Sequence, residues 1–264
     1  MTAGLLGDYD RWVCCHDELT NADLALIAAR VELLPLRPLL SVIAVVGPAT
    51  APDVALSAVE SVRKQIYPWW EMRLALPAET GRPLREELKR VAANDPRVIC
   101  REMRADCPVA ARNELLATAE GDFVLFPEVD SVFARQAFYE IAVEIGAHPD
   151  LDLVYSDEDR IDADGRRTEP YFKPFWSPEL LLGHDMIGQL CAYRRELVER
   201  LGMLRPSLGP AAGWDLSLRL TAATTPDRIR HIPVILCHRR EEAGRHGMQS
   251  ATYREAGQRA DLPP

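Results

Sequence analysis

Residues 154–176 read VYSDEDRIDADGRRTEPYFKPFW. Acids come first (Asp157, Glu158, Asp159), then a turn at Ala163-Asp164-Gly165, then the pair Arg166-Arg167, then Tyr171, Phe172, Phe175 and Trp176. An Ala-Asp-Gly stretch favours a turn because Asp can bond its own backbone and Gly tolerates φ > 0. The preceding residues make LDLVYSDED (151–159) a buried strand that ends in acid. GDFVLFPEVD (121–130) repeats the design: a turn, an apolar strand, and acids at the end. In open α/β sheets ligands bind beyond the carboxyl ends of the strands, so both acidic clusters are candidate site positions.

Outward from there the chain alternates. LLSVIAVVG (39–47) is a short apolar run rich in β-branched residues, hence a buried strand. A helix follows over about 53–65, then strand EMRLAL (71–76), a helix at about 83–93, strand RVICREM (97–103) and a helix over 109–119. Residues 135–147 are helical. The β-α-β-α-β-α-β order predicts a mostly parallel sheet flanked by helices. Beyond it, GQLCAYRRELVERLG (188–202) predicts a strand and a helix, GWDLSLRLTAA (213–223) a helix, and RHIPVILCHRR (230–240) a strand. Before it, residues 1–37 form an amphipathic helical extension. Thr20 or Asn21 caps a helix through Asp23, Leu24, Ile27, Val31 and Leu34, and Pro35 and Pro38 end it. The expected division is an extension at 1–37, a domain at 38–240 with halves 38–130 and 131–240, and a polar tail at 241–264, loosely ordered or docked on something else.

The 264 residues carry a net charge of −9 and no long basic run, so an electrostatic nucleic-acid footprint is excluded. The six cysteines, at 14, 15, 100, 107, 191 and 237, include no C-x-x-C pair and read as reduced thiols. The N-terminus lacks the basic and apolar regions of a signal peptide. No apolar run approaches the ~20 residues of a membrane span. A cytoplasmic protein is expected, with peripheral association with the inner membrane left open.

The segments DYDRW, LLSVIAVV, AVESVRKQIYPWWEMRLA, AARNELLATAEGDFVLF, the 154–176 stretch, SPELLLGHDMIGQLCAYRRELVERLG and WDLSLRL, in this order and spacing, resemble bacterial family 2 glycosyltransferases of surface-polysaccharide type. The resemblance covers roughly residues 8–240. It implies the GT-A fold, with a Rossmann-like nucleotide-sugar half and an acceptor half, and sugar transfer with inversion. It implies a UDP- or dTDP-sugar donor, a divalent metal (Mn²⁺ or Mg²⁺), and a glycan or lipid-linked sugar acceptor. A metal would neutralise the diphosphate leaving group, and a carboxylate would take the acceptor's proton.

Several positions depart from the family's text. Its Asp-x-Asp metal motif falls on Glu128-Val129-Asp130, and a glutamate shifts the ligating oxygens by one methylene. The acidic base position falls on Gly213, beside Trp214 and Asp215. Asp215, two residues on, points about 200° away on a helix. It is either a substitute base or a helix-end acid complementing the macrodipole. The second strand ends in Leu76 and Pro77, where the family has nucleotide-reading acids. The first runs into Val46-Gly47-Pro48, and Ala105-Asp106-Cys107-Pro108 replace a glycine-containing turn. Arg112 and Asn113 match. Arg112 either contacts a phosphate or forms a helix-surface ion pair.

Asp157, Glu158 and Asp159 also match. They orient an acceptor or loop, or they cap and pair with Arg160, Arg166 or Arg167. The aromatics of 171–176 stack on sugar or pack the domain. His184 and Asp185 lie in the loop before the expected strand of 188–202. His238 is a third metal-ligand candidate with Glu128 and Asp130, or a structural histidine. The resulting expectation is an inverting transferase in which Asp157 or Asp215 replaces the missing base, and in which Arg112, Asn113, Glu128 and Asp130 bind the donor. The alternative is a catalytically impaired pseudo-glycosyltransferase that binds a glycan or partners another transferase.

Overall fold

A computed structural model describes residues 7–103, 107–162 and 164–240. Ala163, Ala105 and Asp106, and the tail from Glu241, on which some expectations above fall, lie outside the described residues. The elements are α1 (Asp8–Trp12), α2 (Asn21–Val31), β1 (Leu40–Val45), α3 (Pro52–Arg63), β2 (Trp70–Pro77), α4 (Arg82–Asn94), β3 (Val98–Met103), α5 (Pro108–Leu116), β4 (Phe123–Leu125), β5 (Ser131–Phe133), α6 (Ala137–Ala147), β6 (Leu153–Ile161), β7 (Arg167–Tyr171), α7 (Pro178–Gly183), β8 (Cys191–Arg194), α8 (Arg195–Arg200), α9 (Ala212–Ala222) and β9 (Ile229–Arg240). A π-helical turn, Val13–Asp17, follows α1.

Local chemistry sets most helix starts. Thr20 caps α2 in a capping box with Asp23. Pro52, Pro83, Pro108 and Pro178 stand in the first turns of α3, α4, α5 and α7, where a missing N–H costs nothing.

The strands form one sheet in the order β3-β2-β1-β4-β8-β6-β9-β5, with β7 on β6. β3, β2, β1 and β4 run parallel. β8 inserts antiparallel between β4 and β6, β6 and β9 are parallel, and β5 and β7 add antiparallel edges. Side chains of a strand alternate between faces. Along β1, Val42 and Ala44 accordingly enter one core with α3, α4 and α6. Ile43 and Val45 enter a second core with α5, α7, α8 and α9. Helices therefore cover both faces, which is why β1 is buried at every position.

Glu71 and Arg73 are a buried ion pair at the edge of this core (Arg73 Nη2 to Glu71 Oε2, 2.6 Å). Glu71 Oε1 also accepts from Ser41 Oγ (2.6 Å) and the Glu120 N–H (2.8 Å). A Cβ on Gly121 would lie 2.7 Å from Ser41 N and 2.8 Å from Leu39 O, so only glycine lets the chain enter β4 so close to β1. This anchors the start of the short strand whose far end carries Glu128 and Asp130.

Three elements were not anticipated. β5 has three residues, β7 contains Pro170 and pairs only with β6, and α7 is six residues long. None is long enough for a periodic signal. Two strand ends also differ. β4 stops at Leu125 and leaves 126–130 as a loop. β6 continues to Ile161, with its pairing to β9 shifting register between Ser156 and Glu158, so Asp157, Glu158 and Asp159 lie within the strand instead of at its end. The N-terminal segment packs against this region. Tyr9 OH donates to Asp159 Oδ2 (2.7 Å), and Trp12 meets Phe172 edge-on at 5.0 Å.

Candidate functional site

Two surfaces converge on loop 126–130 at the carboxyl end of β4. From α5, Arg112 Nη2 reaches Glu128 Oε1 (2.7 Å) and the Pro127 carbonyl (3.3 Å). From the segment before β8, Gln189 Oε1 accepts the Glu128 N–H (2.8 Å). Asp130 is more enclosed. Burial pushes its carboxyl above the ordinary range, Arg239 draws it down across 3.9 Å, and the charge of Glu128 raises it again. Two carboxylates thus stand on one loop, Glu128 paired with Arg112 and Asp130 with Arg239, and carboxylate oxygens are the ligand type that Mg²⁺ and Mn²⁺ prefer. Arg112 beside them offers a fork that suits a phosphate.

His238 is not with them. Val132 and His238 face each other across β5 and β9, and successive side chains of β9 alternate. Arg239 therefore turns toward Asp130, while His238 Nδ1 bonds Asp159 Oδ1 (2.6 Å). Among the described residues no three His, Cys, Asp or Glu side chains gather as a metal set. His238 thus stands apart from Glu128 and Asp130 and does not complete the expected triad with them.

Alternation also splits the 157–159 acids. Asp159 faces Tyr9, Arg167 and His238 beneath the N-terminal segment. Burial raises its carboxyl, but the hydrogen bonds of His238, Tyr9 and Arg167 outweigh that and hold it low. Asp157 is 3% exposed, and its Oδ1 is taken by His231 Nε2 (2.6 Å) and the Lys173 N–H (2.8 Å). These two groups hold the expected base candidate inside the fold through one of its oxygens. Glu158 faces the other way. It accepts from Lys173 Nζ (3.2 Å) and the Gln189 N–H (3.2 Å).

The remaining sequence candidates have structural partners. Asn113 grips the backbone of Leu204 twice, Nδ2 to O (2.8 Å) and Oδ1 from N–H (3.1 Å), which ties α5 to the turn before α9. Asp215, in the first turn of α9, pairs with Arg205 (3.2 Å) and Arg219 (2.8 Å). Arg219 in turn holds the carbonyls of Leu201 and Met203. Asp215 thus braces the entry to α9, the helix-end part the sequence left open for it. Gly213 is exposed, and a Cβ there would meet nothing within 4 Å. Leu76 is fully buried. The turn after it is tied by Arg85 Nη2, which donates to the Ala78 and Thr80 carbonyls (2.7 and 2.9 Å).

Of the aromatics, Trp176 packs on the second core, Phe172 meets Trp12, and Phe175, 78% exposed, sets its edge on His231.

Lys173, Gly188 and Gln189 join this site without having been singled out in the sequence. Lys173 is fully enclosed and also donates to the Ile187 carbonyl (2.7 Å). A lone lysine inside an aromatic run (Tyr171-Phe172-Lys173-Pro174-Phe175) was the available signal, since an enclosed ammonium needs an acid. Gly188, at φ +78°, sits against that pair with no room for a Cβ.

Residues 50–202 match the family model for Glycosyl transferase family 2. The chain is 36% identical over 259 residues to the O-antigen biosynthesis protein RfbC of Myxococcus xanthus, covering 97% of this chain and 20% of that protein. It is 33% identical over 225 residues to the uncharacterized protein y4gI of Sinorhizobium fredii, covering 83% and 25%. The chain thus spans a fifth to a quarter of the length of these relatives. Among solved structures, S. aureus TarS 1-349 in complex with UDP-GlcNAc superposes with a TM-score of 0.66 at 19% identity, covering 85% of this chain and 68% of that one. The mannosyltransferase PcManGT from Pyrobaculum calidifontis, in complex with GDP-Man and Mn²⁺, gives 0.59 at 18%, covering 91% and 73%. At these identities the superpositions speak for the GT-A fold alone.

Proposed function

The chain belongs to glycosyl transferase family 2, and from that premise we propose that it transfers a sugar, with inversion, from a nucleotide-sugar donor to a glycan or lipid-linked sugar during surface-polysaccharide assembly. The O-antigen biosynthesis relative supports the pathway class, and the nucleotide-sugar complexes of TarS and PcManGT support the donor class. The observation that carries the proposal is the loop 126–130, with Glu128 and Asp130 at the end of β4 and Arg112 against it.

In this reading Glu128 and Asp130 hold a divalent ion, which when bound would neutralise the diphosphate leaving group. Arg112 exchanges Glu128 for a phosphate oxygen, a bond of similar strength with better-matched geometry. Gln189 fixes the main chain of the loop, so the carboxylates meet the donor in one orientation. Leu76 and Pro77 leave the base to be read by backbone groups and packing. The acceptor approaches from the side of α7 and α9, where Gly213 leaves space.

The test is calorimetric titration with UDP, dTDP and GDP, with and without Mn²⁺, on the wild type and Asp130→Ala. Micromolar, Mn²⁺-dependent binding of one nucleotide, lost in Asp130→Ala, is expected. No binding at millimolar nucleotide would overturn the donor site and leave a binding subunit without turnover.

A further inference from the structure

We infer that Asp185 is the general base of this chain, taking over the part that Gly213 cannot play. The inference rests on the transferase reading above.

Asp185 lies in the segment 184–190 that joins α7 to β8, and this segment bridges the two halves of the site. At one end, Leu181 O accepts Trp214 Nε1 (2.8 Å), which pins α7 to the first turn of α9 beside Gly213. At the other end, Gln189 Oε1 accepts the Glu128 N–H (2.8 Å), which pins the segment to the loop of the carboxylate pair. Between them the backbone is locked. Lys173 Nζ donates to Ile187 O (2.7 Å), Gly188 packs on the Lys173–Glu158 pair, and Asp185 Oδ1 accepts the Ile187 N–H (3.2 Å).

The other acids here are committed elsewhere. Among the described residues, Asp157, Glu158, Asp159, Asp215 and Glu128 each face a cation or a histidine at 3.2 Å or less. Asp185 is partly exposed and is held by the N–H groups of Ile187 and Gly188, with no ion pair among the described residues. Its electrical surroundings suit proton uptake. Burial pushes the carboxyl above the ordinary range, Lys173 pulls it back, and the charge of Glu158 pushes it up again. Tyr171 on β7 and Cys191 and Tyr193 on β8 also face it, each with its own pKa raised by burial and so neutral. A base works best when its pKa approaches the working pH.

In the step, the acceptor oxygen forms a bond to the anomeric carbon while the bond from that carbon to the diphosphate oxygen breaks. The electron pair leaves with the nucleoside diphosphate. The hydroxyl proton passes to an Asp185 oxygen, and from there to solvent, which this partly exposed residue meets.

The experiment compares wild type, Asp185→Asn and Asp185→Asn/Gly213→Asp. UDP-N-acetylglucosamine and GDP-mannose serve as donors and water as acceptor, with release of nucleoside diphosphate followed against pH. Nucleotide binding is measured on all three proteins. Asp185→Asn is expected to bind nucleotide like the wild type, to lose about 10²–10⁴-fold in kcat, and to lose the acid limb of the pH profile. The added carboxylate in the double variant, placed in the open space at Gly213, is expected to recover roughly tenfold or more. An Asp185→Asn protein that keeps kcat within about threefold of wild type, acid limb included, overturns the assignment while leaving the transferase reading intact. A wild type that neither binds nucleotide nor releases it overturns that reading, and the assignment with it.

Discussion

Gly188→Ala should be among the most damaging single-methyl additions in this protein, and its cost can be worked from the structure. Gly188 sits at φ +78°. A Cβ there would stand 2.5 Å from Lys173 Nζ and nearer still to Glu158 Oε2, inside the 3.0 Å that real Cβ atoms respect. The left-handed backbone costs an alanine roughly 1–2 kcal/mol. Relief of the overlap must displace the ends of Lys173 and Glu158, whose side chains are 0% and 14% exposed and so have little room to move without parting. A buried charge left without its partner costs about 3–5 kcal/mol, which is the cost if the two are fully parted. The sum is about 4–7 kcal/mol, and at ~2–4 °C per kcal/mol for a chain of this size Tm should fall by about 10–25 °C. Gly165→Ala is the control. It has φ +80° and nothing within 4 Å of a Cβ, so it carries only the backbone cost. Its Tm should fall by about 3–8 °C. Circular dichroism melts of both variants decide the matter. If the two lose the same Tm, Gly188 is not wedged against the Lys173–Glu158 pair, and the locking of segment 184–190 fails with it.

Three further outcomes follow from named contacts. Asn113→Ala removes both bonds to the Leu204 backbone and should cost about 2–3 kcal/mol in urea unfolding; a loss under about 1 kcal/mol would mean the turn at Leu204 does not depend on it. Gly213→Asp alone should leave Tm within about 2 °C of wild type, because the site is open and an acid in the first turn of α9 suits the helix dipole; a large drop would show that Gly213 is crowded. The carboxyls of Glu158 and Asp159 are pushed up by burial but held low overall, by Lys173 and Arg239 for the first and by His238, Tyr9 and Arg167 for the second. A depressed carboxyl stabilises the fold above its unfolded pKa and loses that contribution as pH falls through the folded value. Acid unfolding should therefore steepen only below about pH 4, and Asp159→Asn should flatten that fall; an unchanged acid limb in Asp159→Asn would remove Asp159 from the account.

Much of the fold was legible because its determinants are local. The apolar run at 39–47, the capping pair Thr20 and Asp23, and the prolines in the first turns of α3, α4, α5 and α7 each act within a few residues. Order and spacing of the segments then identified the family. Short elements such as β5 and β7 escaped because three to five residues carry no period, and they exist only because β9 and β6 offer edges to pair with. For the site, strand-end logic pointed to residues 121–130, but the shortening of β4 to Leu125 and the reach of Arg112 to Glu128 depend on contacts between distant segments.

What the amino-acid sequence determined by itself is the family, the alternation of the longer strands and helices, and the lack of a side chain at Gly213 beside Trp214. What only the tertiary structure decided is which partner each charged side chain keeps. Asp157, Glu158 and Asp159 are adjacent in sequence, yet they meet His231, Lys173 and Arg167 respectively, because strand alternation and the register shift against β9 turn them to different surroundings. His238 and Arg239 part for the same reason. Charge has no periodicity that assigns a partner in advance. Only the crossing of distant strands and loops fixes which cation lies within about 4 Å of which acid.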